Sequence, residues 1–488
     1  MAQTMRTSGR FMRDRITNPA LAVVVAFGLM ASGCSTVSKL WGGDDKPKEG
    51  SAGFVTGFLG AVSGDEPQSV LAAKAILSAG GNAADAAVGG IFALTATLPS
   101  KAGLGGGGAC LAHRGDERAS GVPDAILFLP QAPGSTAGAD RPAAVPMMAR
   151  GLFLLHARHG RIRFESLVVV GEQMARDGVP ASRALVRDLA VVAGPLAGDP
   201  AAREIFFPGG RLIEEGALLV QPDLAGTLAV IRRSGVGDLY LGGLAQRLIA
   251  ASAQAGGPIG AADLRGALPK MTTAIVLPGP NEMAISFLPA PADGGLAAAV
   301  AYRALLANPG DVGGARGRAL AAAAEYRRGA TTAEAILDGA ATSGSLSALP
   351  ASTTFAVLDR EGNGVICALT MGNLFGTGRV APGMGMVLAA SPAWIPPALL
   401  SAGMVTVRRS SVMRAMAGGS GQEGAPVAVG QALARAVADR GAVFDANPGG
   451  APEPGRANVI GCNRGVSNPE SCGWASDPRG FGLATGSN

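Results

Sequence analysis

Two apolar runs, Thr353-Thr-Phe-Ala-Val-Leu-Asp359 and Gly364-Val-Ile-Cys-Ala-Leu-Thr-Met371, stand a few residues apart and constrain the chain more than any other feature. Asp359-Arg-Glu-Gly-Asn363 turns between them, so the pair reads as a β-hairpin. In an antiparallel pair the end of one strand lies beside the start of the other, which brings Thr370 toward Ser352. Three hydroxyl residues in a row, Ser352, Thr353 and Thr354, open the hairpin. Elsewhere the pattern is mostly helical. Helices are expected at about 69–77, 83–98, 143–158, 164–176, 222–234, 242–255, 294–306 and 427–439, with a strand at 283–288. Residues 307–350, rich in Gly, Ala and Ser, carry no fold signal. Helices followed by strands indicate layers of one α/β domain. At 488 residues, 48% hydrophobic and 16% charged, the chain has material for a sizeable core and is not a disordered polymer.

Composition excludes several functions. The net charge of +5 comes mainly from scattered Arg, and no stretch joins clustered Lys/Arg to aromatics, so no nucleic-acid partner is expected. With three His and five well-separated Cys, no His/Cys zinc site is expected, and no cofactor either. The glycines at 105–108 lack the Lys-Ser/Thr of a P-loop and read as a tight backbone turn. Gly418-Gly-Ser-Gly-Gln422 is not a nucleophile elbow and reads as a loop of small residues. Asp359 and Glu361, flanking Arg360, read as a solvated hairpin turn.

At the N-terminus, Arg6, Arg10, Arg13 and Arg15 precede an apolar run from about Ala20 to Met30 and then Ala31-Ser-Gly-Cys34. This is the pattern of an export signal, too short for a membrane span of roughly 20 apolar residues. Cys34 after Leu-Met-Ala-Ser-Gly resembles a lipobox cysteine. Residues 1–34 are therefore expected to be a signal with lipidation at Cys34, and 35–52 a tether. The protein is expected in the cell envelope, facing the periplasm of a Gram-negative-type bacterium. Export implies an oxidising compartment, where Cys462 and Cys472 are expected to pair. Cys110 and Cys367, in apolar strand-like runs, are expected to be buried free thiols.

A hydroxyl residue exposed as a new N-terminus needs no His or Asp partner. Its own α-amine, with a reference pKa of about 7.7–8.0, accepts the hydroxyl proton. This chemistry joins a wider likeness. Gly80-Gly-Asn-Ala-Ala-Asp-Ala-Ala-Val88, Pro99 to Gly108, Leu218-Leu-Val-Gln-Pro-Asp-Leu-Ala225 and Ala290-Pro-Ala-Asp-Gly-Gly295 resemble the γ-glutamyltranspeptidase family. So do Asp359-Arg-Glu-Gly-Asn363, Phe375-Gly-Thr-Gly378 and Ala475-Ser-Asp-Pro-Arg479, from about residue 53 to the C-terminus. The family belongs to the N-terminal nucleophile hydrolases. The resemblance implies a four-layer αββα sandwich that cuts itself before a Thr, a position held by Ser here, into a large part, here 53–351, and a small part, 352–488. The nucleophile position then falls on Ser352, with Thr353 the alternative, and the bond cut is Ala351–Ser352. Thr370 matches the family Thr that bonds the nucleophile, and Ser420-Gly421 the oxyanion donors.

The substrate pocket departs from the family. Leu129 stands where an Arg grips the substrate carboxylate, and Gly372 where an Asn follows Thr370. Ala390, Ser391 and Trp394 replace the groups that hold the substrate amine, and Leu400-Ser401 the paired Ser. Losing two charge-assisted hydrogen bonds of about 1.5–3 kcal/mol each costs roughly two to four powers of ten in γ-glutamyl turnover. The expected activity is hydrolysis or transfer of a γ-glutamyl-type amide through an acyl-enzyme, with specificity altered and a small-molecule amide or peptide as substrate. The alternative is an unprocessed, inactive relative acting as an envelope binding or scaffold protein. The oligomeric state stays open.

Overall fold

Side chains alternate along the hairpin, and the alternation sets the layers. A computed structural model describes residues 58–116, 121–329, 331–340, 346, 351–439, 444–445 and 450–486. Strands β1 (Gly60–Gly64), β2 (Gly107–His113), β3 (Asp124–Phe128) and β4 (Lys270–Thr273) come before the hairpin, as do β5 (Ile275–Pro278) and β6 (Met283–Phe287). The hairpin itself is β7 (Thr353–Asp359) and β8 (Gly364–Thr370). After it come β9 (Ser401–Val407), β10 (Val412–Ser420), β11 (Arg456–Cys462), β12 (Cys472–Ser476) and β13 (Leu483–Gly486). One sheet runs β13-β1-β7-β8-β2-β3-β4 and the other β12-β11-β10-β9-β6-β5, with antiparallel neighbours throughout.

In the hairpin, Phe355, Val357, Val365, Cys367 and Leu369 face a helix layer that includes α1 (Pro67–Ser78) and α2 (Ala83–Thr97). Their neighbours Ala356, Leu358, Ile366 and Ala368 face the second sheet, against Met404, Met413, Met416 and Ile460. The far side of that sheet, with Phe287, Val405 and Val459, is covered by α3 (Asp293–Ala307), α4 (Val312–Arg327) and α5 (Ala425–Ala438). The architecture is a four-layer αββα sandwich. Both faces of each sheet are covered, which is why the hairpin reads as continuous apolar runs rather than clean alternation. Residues before 352 and after 351 contribute strands to both sheets.

The sheets approach closely where side chains are smallest. A Cβ on Gly418 of β10 would lie 2.8 Å from the Thr354 Cβ on β7. Gly418 to Ser420 therefore finish a strand, correcting the reading of that stretch as a loop. Gly107 and Gly108 likewise open β2, where a Cβ would meet the Phe128 or Ala368 carbonyl oxygen at 2.1 or 2.3 Å. Only the Gly103–Gly106 end is a turn, closed by Gly106 N–H donating to Gly103 O at 2.9 Å.

Several further expectations need correction. Cys110 and Cys367 are bonded to each other, because they are direct partners across β2 and β8 with Cα atoms 4.0 Å apart. Cys462 and Cys472, opposite each other on β11 and β12, form a second disulfide. Asp359 is not solvated. It is 2% exposed, and its carboxylate accepts from Glu361 N, Asn363 N, Asn363 Nδ2 and Ala83 N at the start of α2. Burial pushes this carboxyl above its ordinary range against the pull of those donors. The signal-free stretch holds α4, capped by the Asp311 carboxylate on Gly314 N at 2.8 Å. Its buried face is alanine (Ala315, Ala319, Ala323), so it lacks the bulky periodicity that marks other helices. The helix expected from 143 begins at Met148, since Ala143 and Val145 are drawn into bridges with Ala390 and Gln131. Residues 1–57, including the expected signal, Cys34 and tether, lie outside the described residues.

Candidate active site

The antiparallel register carries the hairpin's two ends together. Leu369 pairs with Thr353, and one step further sets Thr370 opposite Ser352, which is 3% exposed. Thr370 Oγ donates to the carbonyl oxygen of Ala351 at 2.8 Å. Behind it, Gly372 N–H donates to Thr370 Oγ at 2.9 Å, completing a chain of two donors aimed at the Ala351–Ser352 peptide. Gly372 has φ +70°, and a Cβ there would lie 2.4 Å from the Ala390 carbonyl oxygen. Asn tolerates such a φ, but the contact excludes any side chain. The departure at 372 is thus steric as well as chemical.

The two hydroxyls after Ser352 are already engaged. Thr353 Oγ donates to Asp65 Oδ2 at 2.8 Å, and Thr354 Oγ accepts from Asn458 Nδ2 at 2.9 Å. Asn458 Nδ2 also donates to Asp65 Oδ1 at 2.7 Å, and Ser63 Oγ donates to Asn458 Oδ1 at 3.1 Å. This network pins the start of β7 to the ends of β1 and β11. Sequence reasoning missed Asp65, Asn458 and Ser63. The available signal was Asn458 itself, a lone amide inside the apolar run Ala457-Asn-Val-Ile460. A buried amide keeps its place only with hydrogen-bond partners.

The pocket positions separate into two groups. Leu129, Gly372 and Ala390 line one cavity with Thr370, about 50 Å³ in volume. Ser391 is buried beside it, its amide donating to Pro142 O and its Oγ accepting from Ala393 N. Trp394 is 46% exposed and does not line the cavity. Leu400 lines it, while Ser401 Oγ turns to the Gly294 and Leu399 carbonyls. Ser420 closes β10 two residues past Gly418, and Gly421 follows at φ +92°, with a Cβ excluded by Pro454 O at 2.0 Å. Arg327 donates to Pro397 O on the cavity wall, but it is paired with buried Asp293.

A larger cavity of about 300 Å³ opens at the turn end of the hairpin, lined by His113, His159 and three arginines. Arg114, Arg158 and Arg161 are occupied by Asp116, Asp124 and Glu361. Burial holds the His113 imidazole below its ordinary pKa, with Nε2 bonded to Ser411 O at 2.7 Å. Among the described residues no group of three or more His, Cys, Asp or Glu gathers to hold a metal.

The chain is similar to known proteins. The γ-glutamyltranspeptidase model matches residues 69–307. Human glutathione hydrolase 7 is 33% identical over 211 residues, 41% of this chain and 31% of the relative. Acylase ACY 1 proenzyme of Pseudomonas sp. (strain SE83) is 32% identical over 245 residues, 45% of this chain and 42% of the relative. The chain thus spans less than half the length of these curated relatives. The cephalosporin acylase structure from Bacillus halodurans superposes with a TM-score of 0.69 at 18% identity, covering 91% of this chain and 98% of that one, and shares the fold. Residues 69–307 thus match the γ-glutamyltranspeptidase family model, and the chain shares the fold of the cephalosporin acylase.

Proposed function

We propose that this chain is a self-processing amide hydrolase or acyltransferase with Ser352 as its nucleophile and a specificity that has left γ-glutamyl substrates. The observation that carries the reading is the bond from Thr370 Oγ to the Ala351 carbonyl oxygen. In self-cleavage, Ser352 Oγ attacks the Ala351 carbonyl carbon while Thr370 stabilises the charge developing on its oxygen. The Ala351–Ser352 C–N bond breaks, leaving an ester on Ser352 Oγ and a free α-amine. Water hydrolyses the ester to give the Ala351 carboxylate and an N-terminal Ser352. That α-amine then serves as the base when Ser352 Oγ attacks an amide substrate. Thr353 is the weaker candidate, because its hydroxyl is donated to Asp65. Ser420 and Gly421 are assigned as oxyanion donors and Cys34 as the lipid anchor of an exported envelope protein.

The test is a gel. Protein beginning after Cys34 and incubated in buffer should divide at 351–352 under reducing conditions, and Ser352→Ala should remain whole. A wild-type chain that stays whole refutes self-processing and favours an inactive binding or scaffold protein.

A further inference from the structure

The cavity touching Thr370 is lined by Leu129, Pro130, Ala390, Ile395, Pro396 and Leu400, among others, and no charged side chain lines it. It is small, about 50 Å³. Arg327, which donates to the carbonyl of the wall residue Pro397, is paired with Asp293. A carboxylate or ammonium placed here gives up its hydration and finds no opposite charge in return, which is strongly unfavourable. Apolar groups gain by the same transfer.

We propose that the amide cleaved by this site carries a short, uncharged, apolar acyl group, seated against Leu129. The inference rests on the proposal that Ser352 is the nucleophile. Ser352 Oγ attacks the acyl carbonyl carbon and its proton passes to the Ser352 α-amine. The C–N bond breaks, the amine leaves with that proton, and the acyl group remains as a Ser352 ester. Water then attacks the ester, releasing a short fatty acid and restoring the hydroxyl.

The experiment compares butyryl, glutaryl and γ-glutamyl p-nitroanilides on the full chain, with cleavage at 351–352 checked in the same sample by gel and intact mass. Cleaved protein should release nitroaniline from the butyryl anilide with a kcat/KM roughly 10²–10⁴-fold above that for the γ-glutamyl anilide. Leu129→Arg should reverse the order of the butyryl and glutaryl compounds. Because that variant could misfold, butyryl ester on the wild-type fragment starting at Ser352, read by intact mass, is the second measurement. Cleaved protein that prefers γ-glutamyl or glutaryl anilide overturns the acyl assignment and leaves the nucleophile in place. Cleaved protein that neither hydrolyses nor is acylated by the butyryl compound also overturns it. An uncut chain inert to all three overturns the nucleophile first, and the acyl assignment falls with it.

Discussion

Replacing Thr370 by Val removes the hydroxyl that donates to the Ala351 carbonyl oxygen while keeping the shape of the side chain. A donor aimed at a developing oxyanion is worth about 10²–10³ in rate, so Thr370→Val should slow self-cleavage by that factor. Thr370→Ser keeps the donor and should stay within about tenfold of wild type. Thr370→Val also leaves the part-buried Gly372 N–H without its acceptor, at a cost of up to about 1–3 kcal/mol, so both proteins should be melted to confirm that they fold. The assay is the appearance of the fragment 352–488, roughly 14 kDa by its share of a 48.4 kDa chain, on gels over time. Here the disulfide matters. Cys110 and Cys367 lie on opposite sides of the cut and are joined. Cleaved protein should therefore run as one species without reductant and as two with it. Thr370→Val cutting at the wild-type rate refutes the role of Thr370. Separation of the halves without reductant refutes the covalent tie.

Thr353→Val should still cleave, because Ser352 is untouched, while losing roughly 1–3 kcal/mol from the bond to Asp65; a melt with a cleavage gel checks both. Gly418→Val forces a branched side chain where even a Cβ would sit 2.8 Å from Thr354, and should destabilise by about 1–3 kcal/mol or more in chemical unfolding. Burial lowers the pKa of His113 in the folded chain below the ordinary 6.5. Its contribution to stability is full above that value and is lost as pH falls toward the folded pKa, since the unfolded state takes the proton first. His113→Gln should consequently melt with a shallower acid-side decline than wild type in a series from pH 7 to pH 5.

Local pattern carried a large part of the reading. The helix expected at 222–234 is Pro222–Ser234, and the hairpin strands are Thr353–Asp359 and Gly364–Thr370, as their runs and turn residues imply. A hairpin's register is set by its own turn and alternation, so the approach of Thr370 to Ser352 was legible before any coordinates. Leu129, Gly372 and Ala390 line one cavity, whereas Trp394 does not line it.

What sequence alone determined, then, is whatever neighbouring residues settle between themselves: helix faces, the hairpin, its paired hydroxyls and a likeness of motifs in order. Tertiary structure decided which distant segments meet. It put β8 between β7 and β2, so Cys367 faces Cys110 at a separation of 257 residues and is not a free thiol. It also buried Asp359 against the start of α2 and drew Asp65 and Asn458 to the mouth of β7. No local periodicity encodes strand order, because an apolar strand face is satisfied by any apolar neighbour. Only the packing of all four layers at once selects the partner.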